Sequence, residues 1–149
     1  MLKKADVHHK CLEVIAEKIE FIQNAITDLV KGGETDAKSS AGDKHETARA
    51  MLQAEQQKLS LQLTELQNQN AALQKINLNA KPSVIVHGTL INTDKGYLYL
   101  AVAIGKISVG DQSIIVLSPA SPLGKVLTGL SVGSSATLTQ TVYAIQSIQ

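Results

Sequence analysis

A chain of 149 residues with a net charge of +1 is long enough for one domain or two small ones, and it lacks the broad basic surface that non-specific nucleic-acid binding requires. Its single cysteine, Cys11, excludes an internal disulfide and a cysteine-rich zinc site. No apolar run reaches the ~18 residues of a membrane span, and the N-terminus turns polar without a signal-peptide core, so a cytoplasmic protein is expected.

Residues 3–30 read as one helix. Leu12, Ile15, Ile19, Ile22, Ile26 and Leu29 recur at alternating spacings of 3 and 4, which is a coiled-coil seam. Gly32-Gly33 is expected to stop that helix, leaving residues 32–43 as a polar tip loop. A second helix is expected from Asp43 to Ile76. Leu52, Leu59, Leu66 and Leu73 repeat every seven residues, Leu63 and Ile76 fill intermediate positions, and Gln56 and Asn70 interrupt the seam. Two matched arms joined by a short polar connection predict an antiparallel helical hairpin over residues 1–77, with an acidic tip near residues 32–46.

Pro82 closes a linker at residues 78–82, after which the hydrophobic period moves toward 2. Strands are expected over residues 83–91, with Val84, Val86 and Leu90 on one face, and over residues 97–104, 113–117, 136–138 and 141–148. Asp94-Lys95-Gly96 and Val109-Gly110-Asp111 read as turns. Ser121 at a cap, Pro122 in the first turn and Gly129 near the stop predict a short helix over residues 121–130. The expected class is α+β: a coiled-coil hairpin followed, over residues 83–149, by a small antiparallel sheet domain with one helix. The first 80 residues hold 11 of the 13 acids and 10 of the 14 bases, so the charged surface belongs to the hairpin.

Asp43 and Glu46 stand at the start of the second helix. Taken alone, the pair reads as a capping box, which satisfies free N–H groups and suits the helix dipole. Its position between two long helices, combined with the run Ser118-Pro119-Ala120-Ser121-Pro122-Leu123-Gly124 and the following Leu127-Thr128-Gly129, resembles the bacterial Gre family of transcript cleavage factors, of which this chain would be a short, divergent member.

That resemblance implies an FKBP-like second domain, docked on bacterial RNA polymerase at the mouth of its secondary channel, with Ser121, Pro122 and Leu123 as candidate docking residues. It implies a hairpin that threads inward and places Asp43 and Glu46 where they help hold a second Mg²⁺ in the polymerase active site. Backtracked RNA would then be cleaved and arrested elongation rescued. The factor would not itself be an enzyme; it would stimulate the intrinsic nuclease of the polymerase and touch the nascent RNA 3′ end indirectly. A monomer is expected, with no membrane partner, no sequence-specific DNA binding, and Mg²⁺ only in the polymerase complex.

Several features depart from the family pattern. Glu34 and Asp36 add acids to the tip, and Thr47-Ala48-Arg49 stand where an aromatic residue often follows the acidic pair. Arg49, one turn after Glu46, could pair with it and neutralise it. Some Gre-like relatives occupy the channel and inhibit without cleaving, so a channel-binding modulator is an alternative outcome. An oligomerising coiled-coil adaptor is an alternative of another class. A prolyl isomerase is disfavoured, because Tyr97, Tyr99 and Tyr143 are the only aromatics available to line its pocket. Cys11 reads as a small buried hydrophobe. His8, His9, His45 and His87 read as exposed, without metal-ligand spacing; His45, between the tip acids, could tune their charge.

Overall fold

The computed structural model describes residues 2–39 and 43–149, with side-chain environments at residues 2–32 and 46–149. Two long helices open the chain, α1 (Lys4–Ser39) and α2 (Asp43–Gln74). The strands follow: β1 (Leu90–Thr93), β2 (Gly96–Leu100), β3 (Gly105–Val109) and β4 (Gln112–Leu117). A short helix α3 (Pro122–Leu127) then precedes β5 (Ser135–Leu138) and β6 (Thr141–Ile148). The chain divides into two compact units, Val14–Asn68 and the pair of segments Met1–Glu13 with Gln69–Gln149. The division does not fall at Pro82: the first turns of α1 and the last turns of α2 belong with the sheet.

Within Val14–Asn68 the expected seam is the stripe that leaves solvent. Ile15 is fully buried, and Ile19, Ile22, Ile26 and Leu29 are half-buried, as are Leu52, Leu59, Leu63 and Leu66 on the other arm. The residues between them are mostly exposed. The unit contains the two arms alone, so each stripe takes its cover from the other arm. Gln56 is half-buried on this stripe, a polar group inside an otherwise aliphatic seam.

The N-terminal helix does not end at Gly32-Gly33 as expected; it runs on to Ser39. Glycine in a helix interior costs about 1 kcal/mol relative to alanine but forbids nothing, and the residues after it are tolerable helix formers. Of the loop expected over residues 32–43, residues 32–39 and Asp43 are helical, and residues 40–42 lie outside the described residues.

In the second unit, six strands form one sheet in the order β3-β4-β2-β1-β6-β5. The expected purely antiparallel sheet is corrected at one place: β2 and β4 pair in parallel, Tyr97 opposite Ile114 through Leu100 opposite Leu117. After β2 the chain reverses through residues 101–104, runs back along the edge as β3, and returns by hairpin as β4, which inserts between β3 and β2. Two reversals leave β4 pointing the same way as β2.

Strand pleating sends successive side chains to opposite faces. One face carries Ile91, Leu98, Leu100 and Leu117, which cluster with Ile85, Leu127, Ala136 and Ile145; Leu123 and Val126 of α3 pack against that cluster. The other face carries Leu90, Tyr99, Ile114 and Val116, all buried. Val7, His8 and Cys11 of α1 and Leu73 of α2 are buried in the same unit, and His8 bonds to Tyr99, so the second face is roofed by the base of the hairpin.

The expected strand over residues 83–91 forms only in its last residues. Residues 83–89 are irregular, with a turn at 87–88, and the inward residue is Ile85, fully buried, while Val84 and Val86 are exposed. Ile85 N–H donates to the carbonyl of Leu130 at 2.8 Å and its carbonyl accepts from Gly129 N–H at 2.8 Å, which fixes its side chain toward the core. Gly88 follows with φ +92°, and a Cβ there would come within 2.7 Å of Ile76 Cγ2. The chain must turn here with no side chain, beside the end of the hairpin.

Candidate functional site

The tip of the hairpin is built by the start of α2. Asp43 is its first residue and Glu46 lies three positions on, so the two fall on one side of the first turn. The side chains of Asp43 and His45, and those of Glu34 and Asp36 on the last turns of α1, lie outside the described residues, and so does the capping geometry expected of Asp43. Glu46 is exposed, and so is Arg49. No ion pair joins them; the described pairs are Lys10 with Glu13 and Lys95 with Asp94. The expected neutralisation of Glu46 by Arg49 is therefore absent from this structure. Within the hairpin unit, Asp43 and Asn68 stand about 38 Å apart along α2 at 1.5 Å per residue.

No cluster of three or more metal-ligating side chains occurs among the described residues. Two carboxylates one turn apart offer hard oxygen donors of the kind Mg²⁺ takes, but too few to complete six-fold coordination.

The run around Ser121 is a self-locking turn. Ser121 caps α3: its Oγ accepts from Gly124 N–H at 3.0 Å and donates to the carbonyl of Ser118 at 2.6 Å. Ser118 Oγ in turn accepts from Ala120 N–H at 3.1 Å. Gly124 closes the motif, because a Cβ there would collide with the carbonyl of Ser118 and lie 2.9 Å from Pro119 Cα. Of the three docking candidates, Ser121 is engaged by its own loop, Leu123 packs on the core, and Pro122 is exposed. The spacing of Ser, Pro, Leu and Gly in this run is thus accounted for by local structure, and Pro122 is the member that faces solvent.

The histidines do not share one environment. His9 and His87 are exposed as expected, and His87 Nε2 lies 3.1 Å from the carbonyl of Ala101. His8 departs from expectation: it is 5% exposed, with Nδ1 2.8 Å from the Tyr99 hydroxyl. Burial, with smaller contributions from the charges of Lys4 and His9, holds its pKa below the ordinary histidine value. Burial pushes the Tyr99 phenol well above the usual tyrosine range. Cys11 is fully buried with its thiol pushed up to about 12, which makes it a packing residue and not a nucleophile. The signal that could have exposed His8 was present in the sequence. Lys4, Val7, His8 and Cys11 recur at helical spacing and extend the apolar stripe toward the N-terminus.

No family model matches the chain, and no curated protein matches it. Among solved structures, two that resemble the chain are described as Gfh1, a GreA factor homologue. One is GreA factor homolog 1, Gfh1, of Thermus thermophilus, at a TM-score of 0.38 and 16% identity over 93% of this chain and 94% of that one. A second structure, described as the transcription factor Gfh1, gives a TM-score of 0.36 and 17% identity over 91% of this chain and 93% of that one.

Proposed function

We propose that this chain is a Gre-like transcription factor that binds bacterial RNA polymerase and inserts its hairpin into the secondary channel, so that Asp43 and Glu46 assist cleavage of backtracked RNA. The observation that carries the proposal is the pairing of a two-helix arm, tens of ångströms long, with two carboxylates on the first turn of its second helix. A compact protein of this size gains no core from such an arm. The sequence resemblance in residues 118–129 supports the same reading.

On this reading Asp43 and Glu46 would hold part of the coordination sphere of a Mg²⁺ whose other ligands belong to the polymerase. A second metal supplies stabilisation of attacking and leaving oxygens in phosphodiester hydrolysis. The chain's own contribution is delivery and charge. The seam aligns the arms, the helix start fixes the spacing of the two acids, and Glu46 remains exposed and unpaired with Arg49. Pro122 at the start of α3 is the candidate docking contact on the second unit.

A second outcome is favoured by the continuation of α1 to Ser39. It places Glu34 and Asp36 on the arm itself, which adds acids to the same end of the hairpin. A tip with surplus carboxylate could withdraw the catalytic ion and inhibit the polymerase.

The test is cleavage of RNA in a stalled, backtracked polymerase complex, comparing wild type with Asp43→Asn/Glu46→Gln. Stimulation that the double variant loses is the expected result. Inhibition by wild type, relieved by Glu34→Gln/Asp36→Asn, would establish the second outcome. Absence of binding to polymerase would overturn both and leave the coiled-coil adaptor.

A further inference from the structure

A pocket of about 570 Å³ opens where the N-terminus of α1 meets the segment after α2 and the end of β6. Its volume lies within the range of small-molecule sites. Lys3, Lys4 and Lys81 line it, with Leu78, Pro82 and Ile148 as an apolar wall, and no acidic side chain faces them. None of these lysines has an ion-pair partner among the described residues.

Lys4 is the unusual member. It is 6% exposed, yet its ammonium, with three donors, makes a single contact of 3.5 Å to the carbonyl of Ala80, at the outer limit of a hydrogen bond. Burial without a counter-charge lowers its pKa from the ordinary lysine value. The ammonium is only partly enclosed and faces the pocket, where an anion would add charge-assisted bonds to that one weak contact. The side chain is also held in place from its backbone. Lys4 N–H donates to Gln149 Oε1 at 3.1 Å, and Gln149 Nε2 donates to the carbonyl of Leu2 at 2.9 Å. These two bonds pin the start of α1 to the end of β6 and hold the pocket open between them.

We propose that this pocket binds a small phosphate monoester, with the phosphate between Lys4, Lys3 and Lys81 and an apolar body against Leu78, Pro82 and Ile148. Three point charges suit a dianion. Lysine lacks the planar fork by which arginine selects carboxylates, so charge density, not bidentate shape, sets the preference. The pocket has no aromatic lining, so the body is gripped by aliphatic contact and not by ring stacking. The site is independent of the polymerase reading, since it involves no residue of the tip.

The experiment is calorimetric titration of the full chain with phenyl phosphate, inorganic phosphate and benzoate, repeated on Lys81→Ala and Lys4→Met. Lys81 is exposed, so its loss does not threaten the fold. Phenyl phosphate is expected to bind tightest, and each variant to weaken it by about ten-fold or more, a factor worth about 1.4 kcal/mol. Binding unaffected by Lys81→Ala would mark an adventitious ion only and overturn the proposal. Benzoate binding as tightly as phenyl phosphate would overturn the phosphate assignment, and no binding of any anion at about 10 mM would overturn the site.

Discussion

His8 Nδ1 and the Tyr99 hydroxyl meet at 2.8 Å in a buried contact that ties the first turns of α1 to the central strand β2. The rings lie edge to face, with centroids 6.2 Å apart. A neutral imidazole can meet the phenol hydroxyl as donor or acceptor, so the contact places no charge in the core. Tyr99→Phe removes the hydroxyl and leaves His8 Nδ1 without this partner, and it is expected to cost about 1–3 kcal/mol in denaturant unfolding.

The same pair predicts a pH dependence. The folded pKa of His8 is lowered from its ordinary value of 6.5, so the unfolded chain binds more protons as pH falls. The stability that His8 contributes is complete above about pH 6.5, declines as pH falls below it, and levels off once the folded pKa is passed. Lys4 and His9 on the same helix, both positive when His9 is protonated, reinforce the effect. Asp94, whose pKa is lowered chiefly by the hydrogen bond from Ala144 N–H, contributes in a separate window below its ordinary 3.8. Thermal melts between pH 8 and 5 should show Tm falling in the acid half of that range, and His8→Phe should flatten the fall.

Gly124 is expected to be the most sensitive position of the α3 turn. An alanine Cβ has no space between Ser118 and Pro119, whose contacts are backbone and cannot swing aside. Gly124→Ala should cost about 2–3 kcal/mol, more than Ser121→Ala, which loses a cap worth about 1 kcal/mol. Urea unfolding of both variants checks the order. An equal cost would mean that the loop shifts to admit the methyl group.

Thr139 lies in the two-residue connection between Leu138 and Thr141 at φ 58°, a β-branched residue in the left-handed region. Thr139→Gly should therefore raise stability by up to about 1 kcal/mol, part of the relief being offset by the greater freedom of glycine in the unfolded chain.

Gln56 is half-buried on the seam between the arms. Gln56→Leu should stabilise the hairpin by about 1 kcal/mol, because the site already excludes much of its surface from water. Sedimentation of the variant and the wild type should give the same mass. A shift of the wild type itself to dimer would favour the adaptor reading.

How much of this was legible in the sequence differed by element. The heptad positions of both arms are the half-buried ones, including Gln56, because a 3-and-4 spacing permits only one stripe. The strands over residues 113–117, 136–138 and 141–148, the two turns and the α3 cap are where local patterning placed them, while the strand expected over residues 97–104 ends at Leu100. Gly32-Gly33 misled because glycine lowers helix propensity without stopping a helix. Alternation over residues 83–91 misled because Ile85 donates to the carbonyl of Leu130 and accepts from Gly129 N–H, both distant in sequence, which turns Ile85 inward in place of Val84 and Val86. The parallel β2–β4 pair is a consequence of topology, which no local pattern carries, whereas the burial of Lys4 and His8 follows the helical spacing they share with Val7 and Cys11. At the tip, the residue types and their spacing were readable.

The account's central claim is that the hairpin tip reaches the polymerase active centre. Cys11 is buried with a thiol raised to about 12, so a cysteine introduced at exposed Glu46 can be labelled selectively with a photo-crosslinker. In a backtracked complex carrying radiolabelled RNA, the account predicts crosslinks from position 46 to the RNA 3′ end and to the catalytic centre of the polymerase. Crosslinks confined to the outer surface of the polymerase, or none above a free-label control, would contradict it.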